Sequence, residues 1–586
     1  MMRNETARRS SKIRSSRVAA LGSTSAISLV TIAGSASGAV LFLTILSSVL
    51  GSNASAIRWL QPIMTAMGFS TVVASQPTTP TPTPTPSTVT VTEPALPDDT
   101  TGVGGVPKMK LGINLGGPSY YSGGREFANL TLNSGWWLGL PDGSTTSMPA
   151  DRLDSDNNVK ILASDEVATK MVTPPTKALQ GQSVDINCTW MGKASLRILG
   201  TAKNTKIHPN KASFTFVPNG LVSARLLFSK MDLGNPVKNI DCREADMNPS
   251  VVFDPDFISY VSQYDTARFM KWQKAVENNK AVTWENRTKL TSATYSDSVD
   301  GAPIETMVSV ANMAKVNPWF SMPWNANDEY IRNFAEYVRD NLDDNLIVYV
   351  EVSNEVWNWL YKVTAQARDE GRAENLSTSD GTALLYRYAE RTGEVMDIWK
   401  SVFSTQPNRL VRVIATQNAV PWAARTVLGY KDTASKVDAL ATAPYFSWNF
   451  SAGEREIPSD FYSKILPDRM DFRLDNAREN KEAAAAKGLR FIAYEAGQHI
   501  LGADGEAMIP VLRQIQRDSR MGDLYTRYLT KWRGDIGDLM VLFSAWSTVN
   551  KYGAWGMQEY MGQPLSEAPK FRAVKLFQQS YLRKDQ

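Results

Sequence analysis

The sequence predicts an α/β protein: a (β/α)8 TIM barrel with a β-sandwich domain inserted after the first barrel strand. Three observations carry this reading. From about residue 250 onward, short apolar segments alternate with amphipathic helical ones, the pattern of a parallel sheet wrapped by helices. Two apolar segments, LIVYVEVSNE (346–355) and LRFIAYEAG (489–497), carry an acidic residue at or near their ends, where a parallel barrel opens its mouth. Residues 131–250 lack helical periodicity and consist of strand-like pieces separated by turn signals.

The N-terminal hundred residues stand apart. Six basic residues against Glu5 give the first 20 residues a charge of +5, leaving 57 basic and 58 acidic residues elsewhere, a net −1. The folded part is therefore near neutral, and no nucleic-acid surface is implied. No charged residue lies between Arg17 and Arg58, and AVLFLTILSSVL (39–50) is the most apolar stretch. Two readings stand side by side. One is an uncleaved N-terminal transmembrane anchor, whose basic flank stays cytoplasmic. The other is a signal peptide cut at Ala54-Ser55-Ala56. Both make the protein exported: extracellular, periplasmic or held in the cell envelope. The Thr-Pro repeat within QPTTPTPTPTPSTVTVTEPALP (76–97) favours extended polyproline and makes a spacer. The chain thus divides into a signal or anchor (1–57), a Thr/Pro-rich linker (58–106), the first barrel strand and its loop (107–130), the sandwich (131–250) and the remaining barrel (251–586).

KLGINLGG opens the barrel. In the insertion, the Pro218-Asn219-Gly220 turn between two alternating segments reads as a hairpin. Cys188 and Cys242 are expected to pair in an exported protein; two separate buried thiols are the alternative. Seven more strands follow: TARFMKW (266–272), NPWFSMPW (317–324), 346–355, LVRVIATQN (410–418), VDALATAPYF (437–446), 489–497 and LMVLFSAW (539–546). Helical segments separate most of them, at 304–315, 328–342, most of 356–403, a region ending at Lys487, and 506–532; 568–583 closes the chain. Tyr330, Phe334, Tyr337 and Val338 share one face of the second of these.

With two Cys and two His, the chain has no material for a Cys-rich zinc site and almost none for a His-rich one. No GxSxG elbow accompanies His208 or His499. No metal or cofactor is implied, and catalysis falls to carboxylates. The 16 Trp residues suit sugar stacking as well as packing.

Asn354-Glu355 after the fourth strand and Glu495 after the seventh resemble the signature of clan A retaining glycoside hydrolases, broadly family 5-like. The strings PWFSMPW, DEYIRNFAEYVRDNL and VEVSNEVWN resemble bacterial cellulase-like proteins often labelled cellulose-binding. The resemblance covers roughly 108–130 and 250–580. It implies Glu355 as acid/base and Glu495 as nucleophile, with Glu355 held protonated and Glu495 ionised. It further implies Asn354 on the sugar 2-hydroxyl, Arg268 and Tyr445 on the nucleophile, and Trp546 as a stacking platform. Trp324 departs from the pattern, since many family 5-like enzymes carry His there; His499 is a partial substitute. Trp357, Trp359, Trp422, Trp448 and Trp555 are further cleft candidates, as are Gln417 and Asn418 for hydroxyl contacts. A plainer reading makes Asn354-Glu355 the cap of the next helix. The expected activity is retaining hydrolysis of a β-linked polysaccharide or oligosaccharide. The alternatives are a non-catalytic carbohydrate-binding protein and a surface assembly protein.

Overall fold

The computed structural model describes residues 109–219, 223–276 and 280–582. The anchor or signal segment and the Thr/Pro linker lie outside the described residues. Among the described residues, no helix is long and apolar enough to cross a membrane.

The chain enters the barrel with β1 (Lys110–Asn114). It then leaves for nine strands: β2 (Trp136–Gly139), β3 (Thr145–Ser147), β4 (Val167–Val172), β5 (Val184–Met191), β6 (Ser195–Gly200), β7 (Ala202–His208), β8 (Lys211–Phe216), β9 (Ala224–Ser229) and β10 (Lys238–Glu244). It returns through β11 (Thr266–Arg268), β12 (Asn317–Met322), β13 (Val348–Val352), β14 (Leu410–Ala415) and β15 (Ala439–Thr442). After a short strand β16 (Phe446–Phe450) come β17 (Arg490–Ala493), a second short strand β18 (Gln498–Gly502) and β19 (Leu539–Leu542).

Strands β1, β11, β12, β13, β14, β15, β17 and β19 form a closed barrel. Gly112 closes it, standing in register with Thr266 on one side and Val541 on the other. An added Cβ at Gly112 would come within 2.9 Å of the Val541 side chain. Every residue of β12, β13, β15 and β19 is buried. That is the mark of strands covered on both faces. The alternation along β13 sorts its side chains: Val348, Val350 and Val352 pack in the layer under the helices, while Tyr349 joins Trp319, Val413, Ala439, Ile492 and Tyr494 inside the barrel. Glu351 shares the inward face of Tyr349, two residues back. This parity brings an acid into the barrel axis.

The strands are shorter than the apolar runs suggest. Only Thr266–Arg268 of TARFMKW joins the ladder; Phe269 and Trp272 are buried by loop packing instead. The helical stretch after β13 is two helices, Lys362–Ala373 and Asp380–Val402, broken near Asn375 at φ +58°. The stretch 506–532 likewise divides into Ile509–Arg517 and Ser519–Asp535. Asp518 separates them and accepts from Arg520 N, so it caps the second. Helix Asp328–Asn341 starts where Asn327 accepts from Tyr330 N, and it buries Tyr330, Ile331, Phe334, Ala335 and Val338.

The insertion is a sandwich of two antiparallel sheets, β3-β2-β4-β9-β6 and β10-β5-β8-β7. They share one core that includes Trp136, Leu138, Ile186, Phe214, Leu226 and Phe228. Strict alternation of buried and exposed residues along β5 shows one face in and one out. The hairpin expected at Pro218-Asn219-Gly220 is corrected: β8 pairs with β5 and β7, whereas β9 pairs with β4 and β6. The connection crosses from one sheet to the other, because each strand's apolar face has to meet the shared core. Cys188 and Cys242 stand opposite each other in the β5–β10 register and form a disulfide.

The sandwich is fastened to the barrel by buried charge. Arg125 pairs with Glu244 of β10 and with Asp254, which caps helix Pro255–Val261. Lys170 of β4 donates to Ser134 O at 2.5 Å and to Ala293 O at 2.7 Å.

Candidate active site

Arg268 ends β11 and is 1% exposed. A guanidinium so buried needs partners, and the barrel rim supplies four to its two Nη nitrogens, while Nε has none among the described residues. Nη1 donates to Glu495 Oε1 at 2.9 Å and to Asn114 Oδ1 at 3.0 Å. Nη2 donates to Glu351 Oε1 and, at 2.8 Å, to Asn354 Oδ1. One cation thus ties the ends of β1, β11, β13 and β17 together. Because Asn354 gives its carbonyl oxygen to Arg268, its amide N–H groups are left to donate elsewhere.

Glu495 follows β17 and is 6% exposed. Besides Arg268, it receives the Tyr445 hydroxyl on Oε2 at 3.0 Å. Tyr445 is held well above the usual phenol range by burial and then by the Glu495 and Glu355 charges, so it remains a donor.

Glu355 is only partly buried. Its Oε1 accepts from Tyr494 Oη at 3.0 Å and its Oε2 from Asn358 Nδ2 at 2.8 Å. Desolvation first, and the Glu495 carboxylate second, push Glu355 up to about 7. The two hydrogen bonds and Arg268 oppose this without cancelling it. Ser353 and Glu355 both adopt left-handed backbone, at φ +58° and +44°. Such conformations cost energy in side chains larger than glycine and cluster at functional sites. The cap reading fails here, because helix Lys362–Ala373 starts seven residues beyond Glu355 and takes no side-chain cap.

The structure therefore brings Glu355, Glu495, Asn354, Arg268 and Tyr445 together at one rim. Two expected binding residues are not offered to a ligand. Trp324 is 3% exposed. Its indole N–H donates to Glu370 at 3.2 Å, and Arg387 lies over the ring, so two outer helices hold it. Trp546 is also 3% exposed, edged by Phe257 and Tyr260. A Cβ at Gly124 would fall 1.9 Å from its Nε1, so backbone covers the indole. Both expectations are corrected to packing, since a stacking platform needs an open face. His499 meets the rings of Tyr445 at 5.5 Å and Trp555 at 4.4 Å. Burial, helped by Arg473, lowers it to about 4, which keeps it neutral at physiological pH. Asn418 is committed to structure, donating to Arg473 O and accepting from Thr442. Trp359 and Trp422 are exposed, and Trp357, Trp448, Trp555 and Gln417 half-buried.

Four polar partners of the cluster were not anticipated: Asn114, Glu351, Asn358 and Tyr494. Glu351 accepts from Arg268 and from Ser321 Oγ at 2.7 Å, and burial raises its pKa against the opposing pull of Arg268. Inward parity along β13 was the one signal that pointed to it. Among the described residues, no group of three or more His, Cys, Asp or Glu is placed to hold a metal ion.

These features define a closed eight-stranded parallel barrel with two carboxyl groups, Glu355 and Glu495, at its mouth. No family model matches the chain. No curated protein matches it either. Among solved structures it is similar to a GH51 arabinofuranosidase from Xanthomonas axonopodis pv. citri, at 11% identity and TM-score 0.38, covering 57% of this chain and 68% of that one. A 4-O-α-L-rhamnosyl-β-D-glucuronidase from Fusarium oxysporum matches at 12% identity and TM-score 0.32, covering 55% and 64%. A GH5-4 broad specificity endoglucanase from Clostridium acetobutylicum matches at 10% and 0.32, covering 57% and 92%. Likenesses this distant say nothing about chemistry, and the barrel stands on the chain's own strand order.

Proposed function

We propose that this protein is a retaining glycoside hydrolase acting on a β-linked polysaccharide or oligosaccharide. One observation carries the reading: a carboxyl raised to about 7, Glu355, sits beside a second carboxylate, Glu495, that Arg268 and Tyr445 hold in place. Glu355 protonates the glycosidic oxygen as the bond to the anomeric carbon breaks, and Glu495 attacks that carbon. Glu355, now ionised, takes a proton from water as water displaces Glu495 and releases the sugar. Asn354 donates to the sugar 2-hydroxyl, a contact that strengthens as positive charge builds on the ring.

The test is release of reducing ends from a panel of β-glucans, xylans and mannans. Wild type is expected to release them, Glu495→Ala to release none, and the first product to keep the β configuration by NMR. Binding without release in both proteins makes this a carbohydrate-binding protein instead. Neither binding nor release points to an assembly role.

The same reading places the protein outside the cytoplasm, tethered or released by its N-terminal apolar segment and carried on the Thr/Pro spacer. The Cys188–Cys242 disulfide supports this, since such bonds persist in oxidising compartments. Recovery of the native protein in a reduced cytosolic fraction would contradict it.

A further inference from the structure

The segment between β1 and the sandwich carries a feature that the catalytic reading does not use. It reads Gly-Gly-Pro-Ser-Tyr-Tyr-Ser-Gly-Gly, residues 116–124. Ser122 N donates to Ser119 O at 3.1 Å, which closes a turn with Tyr120 and Tyr121 as its central residues. Central turn positions usually go to Gly, Pro, Asn or Asp, for conformational reasons. Two adjacent tyrosines gain nothing conformationally there. Tyr121 is 56% exposed. Its ring meets Tyr120 edge-on at 5.1 Å, and Tyr120 meets Trp137 at 6.4 Å. Trp137 stands on the outer face of β2 in register with Ser147 and Thr169, small residues that leave its half-buried indole room.

The turn is anchored rather than loose. Pro118 O accepts from Asp297 N at 3.0 Å, and Gly123 O accepts from Met561 N at 3.0 Å. In sequence it closely follows a residue of the carboxyl site. Asn114, which Arg268 holds, is followed after one residue by Gly116 and Gly117, both half-exposed. Gly116 O accepts from Trp272 Nε1 at 2.8 Å, and a side chain at Gly117 would strike Asp297. The chain from Asn114, which Arg268 holds, thus passes through two glycines, with Asp297 packed on the second, and six residues on reaches the first of three aromatic rings.

We infer that Tyr120, Tyr121 and Trp137 form a distal subsite for a neutral glycan chain, extending the cleft from the barrel onto the inserted sandwich. The turn Ser119–Ser122 carries hydroxyls and ring faces and no charge, which suits the C–H faces and hydroxyls of uncharged sugars. The class of ligand rests on the reading under Proposed function; the placement of the rings does not. This subsite gives the insertion a role in holding chains that are longer than the catalytic pair alone can grip.

The experiment uses the full chain with Glu495→Gln, so that bound oligosaccharide is not consumed. Calorimetry compares cellobiose with cellohexaose, xylobiose with xylohexaose, and mannobiose with mannohexaose. The parent is expected to bind at least one longer sugar more tightly than its disaccharide. Adding Trp137→Ala and Tyr121→Ala should weaken the longer sugar about tenfold and erase the length dependence. Trp137→Phe should restore part of it, which a folding defect would not allow. Unchanged length dependence in the double variant overturns the subsite, and so does failure of the parent to bind any of the six sugars. Hydrolysis by wild type with no effect of the double variant would sink this inference and leave the hydrolase reading intact. Binding that depends on Trp137, with no hydrolysis by wild type, would do the reverse.

Discussion

Glu355 is raised mainly because it is desolvated, and next because Glu495 is close. Its charged form is therefore the disfavoured one, and the proton stays on up to about pH 7. The sign gives the proposed hydrolase a definite profile: its general acid is present below that value and is lost as pH rises through it. Hydrolysis is expected to fall on the alkaline side of about pH 7, measured as kcat/KM against pH. Glu355→Gln, which can neither give nor take the proton, should lose about 10²–10⁴-fold in rate below about pH 7 and no longer show the alkaline fall. Glu351 makes a second test. Removing it as Glu351→Ala leaves the Arg268 Nη2 side short of its acid inside the barrel, a loss of about 3–5 kcal/mol. Glu351→Gln keeps an oxygen for both Arg268 and Ser321 and should cost much less; thermal melting of the two variants separates them. At this scale, acids and polar groups at strand ends were legible, because position on a strand fixes where a side chain can go. Tyr494 and Asn114 were not, since their contacts join residues 139 and 154 positions apart that only barrel closure brings together. Trp324 and Trp546 went wrong for a related reason. Sequence placed them at strand ends but could not show that Glu370, Arg387 and Gly124 would cover them.

At the scale of elements, the eight barrel strands and most helices were readable from the alternation of short apolar runs with amphipathic helical stretches. Their limits were not, because apolar runs continue past the ladder wherever loops fold back, as at Phe269 and Trp272. Strand pairing in the sandwich was less readable still. A Pro-Asn-Gly turn looks the same whether it joins neighbours in one sheet or carries the chain across the core. The disulfide links β5 to β10 and closes a loop of sequence separation 54. Chain entropy values such a closure at about 4 kcal/mol. Cys188→Ala/Cys242→Ala is thus expected to lower the unfolding midpoint of the sandwich in urea. If the barrel melts separately from the sandwich, a barrel-specific signal should move less than the sandwich signal. At helix Asp328–Asn341, Asn327→Ala removes the acceptor for Tyr330 N and should cost about 1 kcal/mol by denaturant titration.

At the scale of the whole molecule, the junction between sandwich and barrel is built of buried acids around one arginine. Glu126 is next to Arg125 and 1% exposed. Its Oε2 accepts from Asn133 at 2.8 Å at the entry to the sandwich, and its backbone oxygen accepts from Asp254 N at the barrel helix. Burial raises its pKa from 4.5 to about 8; Asp297 and Asp254 add to the rise, and hydrogen bonds from Asn133 and the backbone oppose it. The folded protein therefore keeps this proton where the unfolded chain has lost it. By linkage, the contribution to stability is complete below pH 4.5 and is lost as pH rises through about 8. Glu126→Gln preserves the acceptor for Asn133 and removes the titration. Its melting temperature should lie near that of wild type at about pH 5 and above it at about pH 9, by scanning calorimetry. The same difference at both pH values would mean that Glu126 is not the titrating group. A gap that widens with pH would instead locate the alkaline weakness of the molecule at the seam where the sandwich joins the barrel.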